Sequence, residues 1–189
     1  MKNKWRREIL KRRNGQTMEA VTEKSMAILE NLKTFEAAFK GRKVMIFIDF
    51  GKEVQTRAFI DYFQALGCTL VIPRVDTASK AMRLYPYVSW DELYRSPFGI
   101  LEPRENPALE LKPVDLDVII TPGVVFDRHG YRIGYGGGFY DRLFAKTRPD
   151  TLKIAIGFDL QLTDEVPRDP YDLPVDHLVT ETQILSFTK

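Results

Sequence analysis

Apolar positions along the chain change period several times, and each change marks an element. Over the first forty residues they recur at helical spacing: Trp5, Ile9 and Leu10, then, after Asn14-Gly15, a second run with Met18, Val21, Ile28, Leu29, Leu32 and Phe35. Gly41 is expected to end the run. Val44, Met45, Ile46, Phe47 and Ile48 form an unbroken apolar stretch of strand length. Thr56 stands where it would cap a helix through Phe59, Ile60, Phe63 and Leu66, with Gly67 as the stop. A strand over Thr69, Leu70, Val71 and Ile72 follows directly. Strands with no polar alternation, joined by a helix, predict a parallel sheet covered on both faces.

Residues 74–113 are rich in proline and aromatics (Pro86, Trp90, Pro97, Phe98, Pro103, Pro107) and predict short elements and surface turns. Leu116, Asp117, Val118, Ile119 and Ile120 predict another strand, ended by Thr121-Pro122-Gly123, and residues 152–157 predict one more. A glycine cluster and a short helix from Phe139 to Phe144 separate the two. The expected fold is an α/β three-layer sandwich with a mainly parallel central sheet and helices on both faces, in one domain over residues 1–189.

Composition narrows the class without naming a chemistry. Hydrophobic residues at 44% and charged residues at 29% suit a globular chain and argue against disorder or a fibrous repeat. Cys68 is the one cysteine, so no intrachain disulfide and no cysteine metal site can form, which fits a reducing compartment. Its apolar setting predicts an inert thiol in a buried strand. The basic start has no continuous apolar stretch behind it, and no run reaches membrane-spanning length, so a cytoplasmic protein is expected. Of the 28 Lys and Arg, seven lie in residues 1–13 beside Glu8 alone, leaving 21 basic against 25 acidic residues beyond Arg13. The positive charge is therefore local: a solvated helix face, or a surface for a small polyanion, nucleic acid or membrane.

Candidate chemistry concentrates in Gly134-Tyr135-Gly136-Gly137-Gly138-Phe139-Tyr140-Asp141-Arg142. Four glycines in five residues let a ligand approach backbone N–H groups closely, and a helix start follows, a combination that suits phosphate. A mobile turn or a tight packing contact is the alternative. The stretch lacks the Gly-x-x-x-x-Gly-Lys-Ser/Thr pattern, and the dinucleotide pattern fails at Phe139, where its third glycine would stand. Without a P-loop lysine, phosphate charge must be met from elsewhere, and the basic first helix is the obvious source. Magnesium takes a few carboxylates with waters and phosphate oxygens. Asp141 is placed for that, and residues 164–176, an acidic loop stiffened by prolines, could supply a second carboxylate. His129 in a hairpin-like turn and His177 at a strand start adjoin no evident nucleophile or metal pair.

On several separated motifs in the same order, the chain resembles the 5-formyltetrahydrofolate cyclo-ligase family, the methenyltetrahydrofolate synthetases. The motifs are Lys2-x-x-Trp5-Arg6, Phe47-Ile48 followed by Glu53 and Thr56, Ile72-Pro73-Arg74, and Pro122-Gly123 running through Phe126-Asp127, Gly130 and Arg132-Ile133 into the glycine stretch and Asp141. Asp172-x-Pro174-x-Asp176 and Val179-Thr180-Glu181 complete them. The resemblance implies an α/β fold and the ATP- and magnesium-dependent conversion of 5-formyltetrahydrofolate to 5,10-methenyltetrahydrofolate, with release of ADP and phosphate. In the family's mechanism the formyl oxygen attacks the γ-phosphate, and the second folate nitrogen then displaces phosphate on ring closure.

Carried onto these positions, the resemblance assigns ATP to Lys2, Asn3, Lys4, Trp5, Arg6, Arg132, Ile133, Gly134, Tyr135, Gly136, Gly137, Gly138, Phe139 and Tyr140. It assigns the folate to Ile48, Glu53, Tyr135, the three glycines 136–138 and Phe139, magnesium to Asp141 and Asp172, and catalytic roles to Arg132 and Tyr140. Arg74 and Asp176 are further candidates. Trp5 stands where the family usually has leucine, Asp49 where serine is common and Gly137 where some members are basic. The expected partners are reduced folate and ATP, with neither nucleic acid nor membrane, in a monomer or weak homodimer. A sugar-phosphate or CoA-type enzyme on a related fold, and a nonenzymatic nucleic-acid binder using the basic helix, are the alternatives.

Overall fold

A computed structural model describes residues 1–97 and 99–187; Phe98, one of the aromatics of the middle stretch, lies outside them. The helices are α1 (Lys2–Asn14), α2 (Met18–Leu32), α3 (Glu36–Phe39), α4 (Arg57–Ala65) and α5 (Phe139–Phe144). The strands are β1 (Lys43–Ile46), β2 (Thr69–Asp76), β3 (Ala81–Pro86), β4 (Leu93–Arg95), β5 (Leu101–Pro103), β6 (Val118–Thr121), β7 (Val125–Asp127), β8 (Arg132–Ile133), β9 (Leu152–Ile156), β10 (Leu162–Thr163), β11 (His177–Val179) and β12 (Ile184–Ser186). Seven of them form the central sheet in the order β12-β11-β9-β6-β1-β2-β3. The five inner strands pair in parallel, and β12 and β3 close the edges antiparallel. This is the α/β sandwich with a mainly parallel sheet that the apolar runs predict.

Alternation within those runs explains why they are unbroken. Val44 and Ile46 of β1, Val118 and Ile120 of β6, and Ile154 and Ile156 of β9 face one core with α2, α3 and α4. Met45, Ile119 and Ala155 face the other core with Leu143 and Phe144 of α5. A strand buried on both sides has no solvent face to mark with polar residues. On the first face Val21, Ile28, Leu29 and Leu32 give α2 an apolar stripe interrupted by buried Ser25, whose hydroxyl donates to Val21 O, and Thr17 caps the helix by accepting from Ala20 N at 3.1 Å. Phe39 and Phe63 meet edge to face at 5.0 Å beneath it. A third, smaller core sets α1 apart from the sheet: Trp5, Ile9 and Leu10 pack on Val124, Val125, Ile133 and Val166 around the β7–β8 hairpin.

Three local readings are corrected. Thr56 does precede α4, but its side chain does not cap the helix. Its hydroxyl serves the loop after β1 instead, accepting from Asp49 N at 3.2 Å and donating to Asp49 Oδ1 at 2.9 Å. Cys68 lies before β2 rather than in it, half-buried, with Sγ donating to Phe39 O at 3.0 Å. Finally β2 runs on to Asp76, since antiparallel pairing with β3 continues to the Asp76–Ala81 register.

The strand order reverses beside β1: the chain moves outward to β2 and β3 on one side, then to β6, β9 and β11 on the other. At such a switch the loops leaving the carboxyl ends of β1 and β6 diverge and open a crevice.

Candidate functional site

Both diverging loops carry the motif residues. From β6 the chain makes the β7–β8 hairpin and enters residues 134–138, which lead directly into α5. Gly136 takes φ +109° and Gly138 φ +63°, conformations that side-chain-bearing residues rarely adopt. Among the described residues, no backbone N–H of residues 134–138 donates to a protein acceptor. Five adjacent donors are thus left to solvent or a ligand. With only six residues α5 adds little dipole, so attraction for an anion falls on those N–H groups and on nearby cations.

α1 brings the cations. Arg6 Nε donates to Gly134 O at 2.7 Å, and a methyl built on Gly136 would meet the Arg6 guanidinium carbon at 3.6 Å. Asn3 Oδ1 accepts from Arg6 Nη1 at 2.5 Å and steadies it. One helical turn earlier, Lys2 Nζ donates to Asp172 at 2.5 Å and to Asp169 at 2.6 Å. Burial works to lower the Lys2 pKa, but the two hydrogen bonds outweigh it and hold the ammonium above its ordinary value. The bond from Lys2 holds Asp169 below the usual carboxylate range.

Arg132 and Asp141 stand on the inner side. Arg132 is 8% exposed, and its Nη1 donates to Leu173 O at 3.1 Å and to Asp141 Oδ1 at 3.3 Å. The Phe144 ring lies 4.6 Å from the guanidinium carbon and the Tyr140 ring 5.7 Å. Burial pulls the Arg132 pKa down, and Asp141 opposes the shift. Burial also raises the Tyr140 phenol far above its ordinary value, with Glu53 adding to the effect, so Tyr140 is a hydrogen-bond donor rather than a base. Asp141 Oδ1 also accepts from Leu173 N at 3.1 Å, which brings Asp141 beside the loop holding Asp172.

Glu53 joins the loop after β1 to the glycine loop. It is 7% exposed; Oε2 accepts from Phe50 N at 2.9 Å and Oε1 from Tyr135 OH at 2.6 Å. Arg13 Nη2 donates to the same Tyr135 oxygen at 2.8 Å. Desolvation raises the Glu53 pKa, while the Tyr135 hydrogen bond and the Arg13 charge oppose it. Alongside lies a cavity of about 530 Å³, with Ile48 and Phe50 in its wall.

Not every candidate reaches this rim. Ile133 is 1% exposed in the hairpin core, so only its backbone is available to a nucleotide, while Trp5 is a packing residue of the same core. Lys4 is exposed, with no side-chain contact to the loop among the described residues. Phe139 lies under Arg142, whose guanidinium carbon is 5.2 Å from its ring. Arg74 stacks on Tyr94 at 5.3 Å and donates to Pro103 O at 3.4 Å, binding β2 to the β4–β5 ribbon. Asp176 accepts from Lys153 N at 2.8 Å at the base of β9, and His177 bonds Ser186 on the neighbouring strand. Sequence reasoning missed Arg13, Asp169 and Arg142. Arg13 was legible in principle, since it continues the Trp5–Ile9 stripe at four-residue spacing and is buried to 4%.

The donor set suits magnesium. Among the described residues no three His, Cys, Asp or Glu side chains cluster as a complete metal cage. Asp141 Oδ2 and Asp172 Oδ1 have no hydrogen-bond partner there, so each aspartate keeps a hard oxygen to offer. One or two carboxylates completed by phosphate and water is the habit of Mg²⁺ rather than of Zn²⁺ or Ca²⁺.

Comparison with known proteins points to one family. A model of the 5-formyltetrahydrofolate cyclo-ligase family matches residues 1–181. The 5-formyltetrahydrofolate cyclo-ligase of Escherichia coli K12 is 30% identical over 182 residues, covering 93% of this chain and 98% of its own. The mouse enzyme of the same name is 27% identical over 187 residues, covering 93% of this chain and 91% of its own. The solved structure of Aquifex aeolicus 5,10-methenyltetrahydrofolate synthetase superposes with a TM-score of 0.85 at 32% identity, covering all of this chain and 93% of that one.

Proposed function

Because the chain belongs to the 5-formyltetrahydrofolate cyclo-ligase family, we propose that it closes 5-formyltetrahydrofolate to 5,10-methenyltetrahydrofolate, consuming ATP and releasing ADP and phosphate. One domain does this, in the cytosol, where the lone Cys68 stays reduced. The observation that carries the reading is the convergence at one switch point of unclaimed N–H groups, α1 cations and a carboxylate pair, with buried Glu53 next to them.

In this reading Lys2, Arg6 and the N–H groups of residues 134–138 hold the triphosphate, and Glu53 takes ring N–H groups of the pterin while Ile48 and Tyr135 flank it. Magnesium, when bound, would neutralise phosphate oxygens from Asp141 and Asp172. Arg132 keeps Asp141 in place through its bond to Oδ1 and adds positive charge close to the transferring phosphoryl group. Tyr140, held protonated by burial, donates to a phosphate oxygen. The formyl oxygen attacks the γ-phosphorus and ADP leaves; the second folate nitrogen then attacks the formyl carbon, phosphate departs, and that nitrogen loses its proton. The protein forms no covalent bond, so alignment of the two substrates and charge neutralisation must supply the acceleration, with about 7–11 kcal/mol attainable from positioning alone.

Incubation with ATP, magnesium and 5-formyltetrahydrofolate tests the proposal. A rise in the near-ultraviolet absorbance of the methenyl product, matched mole for mole by ADP, is expected. Folded protein that gives no rise rejects it.

A further inference from the structure

A cavity opens beside Phe50, the residue whose backbone N–H donates to Glu53. Its wall is apolar at Ile48, Phe50 and Trp90, and at about 530 Å³ it falls within the range of small-molecule sites. Two guanidinium groups stand in its lining, Arg57 at the start of α4 and Arg95 at the end of β4. Both are exposed, and among the described residues neither is paired with a carboxylate. The Arg57 guanidinium carbon lies 4.8 Å from the Trp90 ring, a stacking contact that fixes the plane of the group without using its N–H donors. Arg95 gives one Nη1 hydrogen bond to Gly99 O at 2.6 Å and keeps its remaining donors. The acid of the lining, Asp49, forms an ion pair with neither of them; its Oδ1 accepts from the backbone N and hydroxyl of Thr56, each at 2.9 Å. An apolar wall lined also by two planar cations without carboxylate partners fits an aryl group that carries carboxylates.

We propose that Arg57 and Arg95 receive the carboxylates of the folate's glutamate tail, with the aminobenzoyl ring against Phe50 and Trp90, so that this pair sets the preference for glutamylated substrate. The assignment rests on the folate reading above and adds the direction in which the substrate lies: pterin at Glu53, tail toward the start of α4. Arg57 and Arg95 are specificity residues and touch no reacting atom.

Two substrates separate the roles: 5-formyltetrahydrofolate, and 5-formyltetrahydropteroate, which has the same ring system without glutamate. With magnesium and ATP saturating, Arg57→Gln and Arg95→Gln are each expected to raise KM for the folate about tenfold, the effect of one charge-assisted contact. KM for the pteroate should stay at the wild-type value. Thermal-shift titration with each compound gives a readout independent of turnover, and the shift by the folate alone should shrink in the variants. Equal losses on both substrates, or no loss on either, overturn the tail assignment while leaving the activity in place. A wild-type protein that neither binds nor converts either compound overturns both readings.

Discussion

Burial pushes the Glu53 carboxyl above its ordinary 4.5, and the sign of that shift has a measurable effect. A group whose folded pKa is raised favours the native state below its unfolded pKa, and that contribution is lost as pH rises through the folded value. Glu53→Gln removes the titration, so the melting temperature of the variant minus that of the native protein should grow as pH rises from 4.5 toward neutrality. A constant difference would show that Glu53 ionises no less readily than in an unfolded chain. The same variant is expected to raise KM for the folate about 10- to 100-fold, the range of one or two lost charged hydrogen bonds. Asp141→Asn keeps the size of the side chain and an acceptor for Leu173 N but removes a charge. Its turnover should need far more magnesium than the native enzyme, and an unchanged magnesium dependence would remove Asp141 from the metal site. At this scale much was legible: Glu53 and Asp141 stand in recognisable motifs. Asp169 was not, because its bond to Lys2 links residues 167 positions apart and no local pattern records it.

At the scale of elements, α1 and the glycine loop act as opposing walls. Periodicity locates α1, yet periodicity cannot tell that the helix packs on the β7–β8 hairpin rather than on the main sheet. That packing carries Arg6 to the loop and Lys2 to Asp169 and Asp172. Deleting residues 1–7 removes both cations while leaving Ile9 and Arg13 to anchor the rest of the helix, so KM for ATP should rise about 100-fold and KM for the folate far less. Equal ATP affinity in the truncated protein would contradict the role given to α1. Gly136→Ala tests the other wall. At φ +109° a methyl group strains the backbone by about 1–3 kcal/mol, whereas the Arg6 contact at 3.6 Å is ordinary. Weaker ATP binding with a small fall in melting temperature is the expected result, and steady-state kinetics with a thermal melt checks it. The short elements of residues 74–113 were the least legible part, since their ribbons owe their pairing to partners such as Arg74 and Glu110 rather than to any internal period.

Across the whole molecule, the parallel sheet and its two cores follow from runs such as residues 44–46 and 118–120, whose alternate residues both meet apolar neighbours. The order of the strands could not be read from the sequence, because apolar runs carry no label of their neighbours. That order decides where the loops diverge and hence where the crevice opens. The hydrogen-bonded chain Arg13–Tyr135–Glu53–Phe50 crosses this crevice, tying the first helix, the glycine loop and the loop after β1 into one continuous support. Such a strut transmits load in both directions: whatever factor bound nucleotide imposes on the dissociation constant of the folate, bound folate must impose on that of the nucleotide. Paired calorimetric titrations in opposite order, with a non-hydrolysable ATP analogue, should return that common factor, and Tyr135→Phe should bring it toward one.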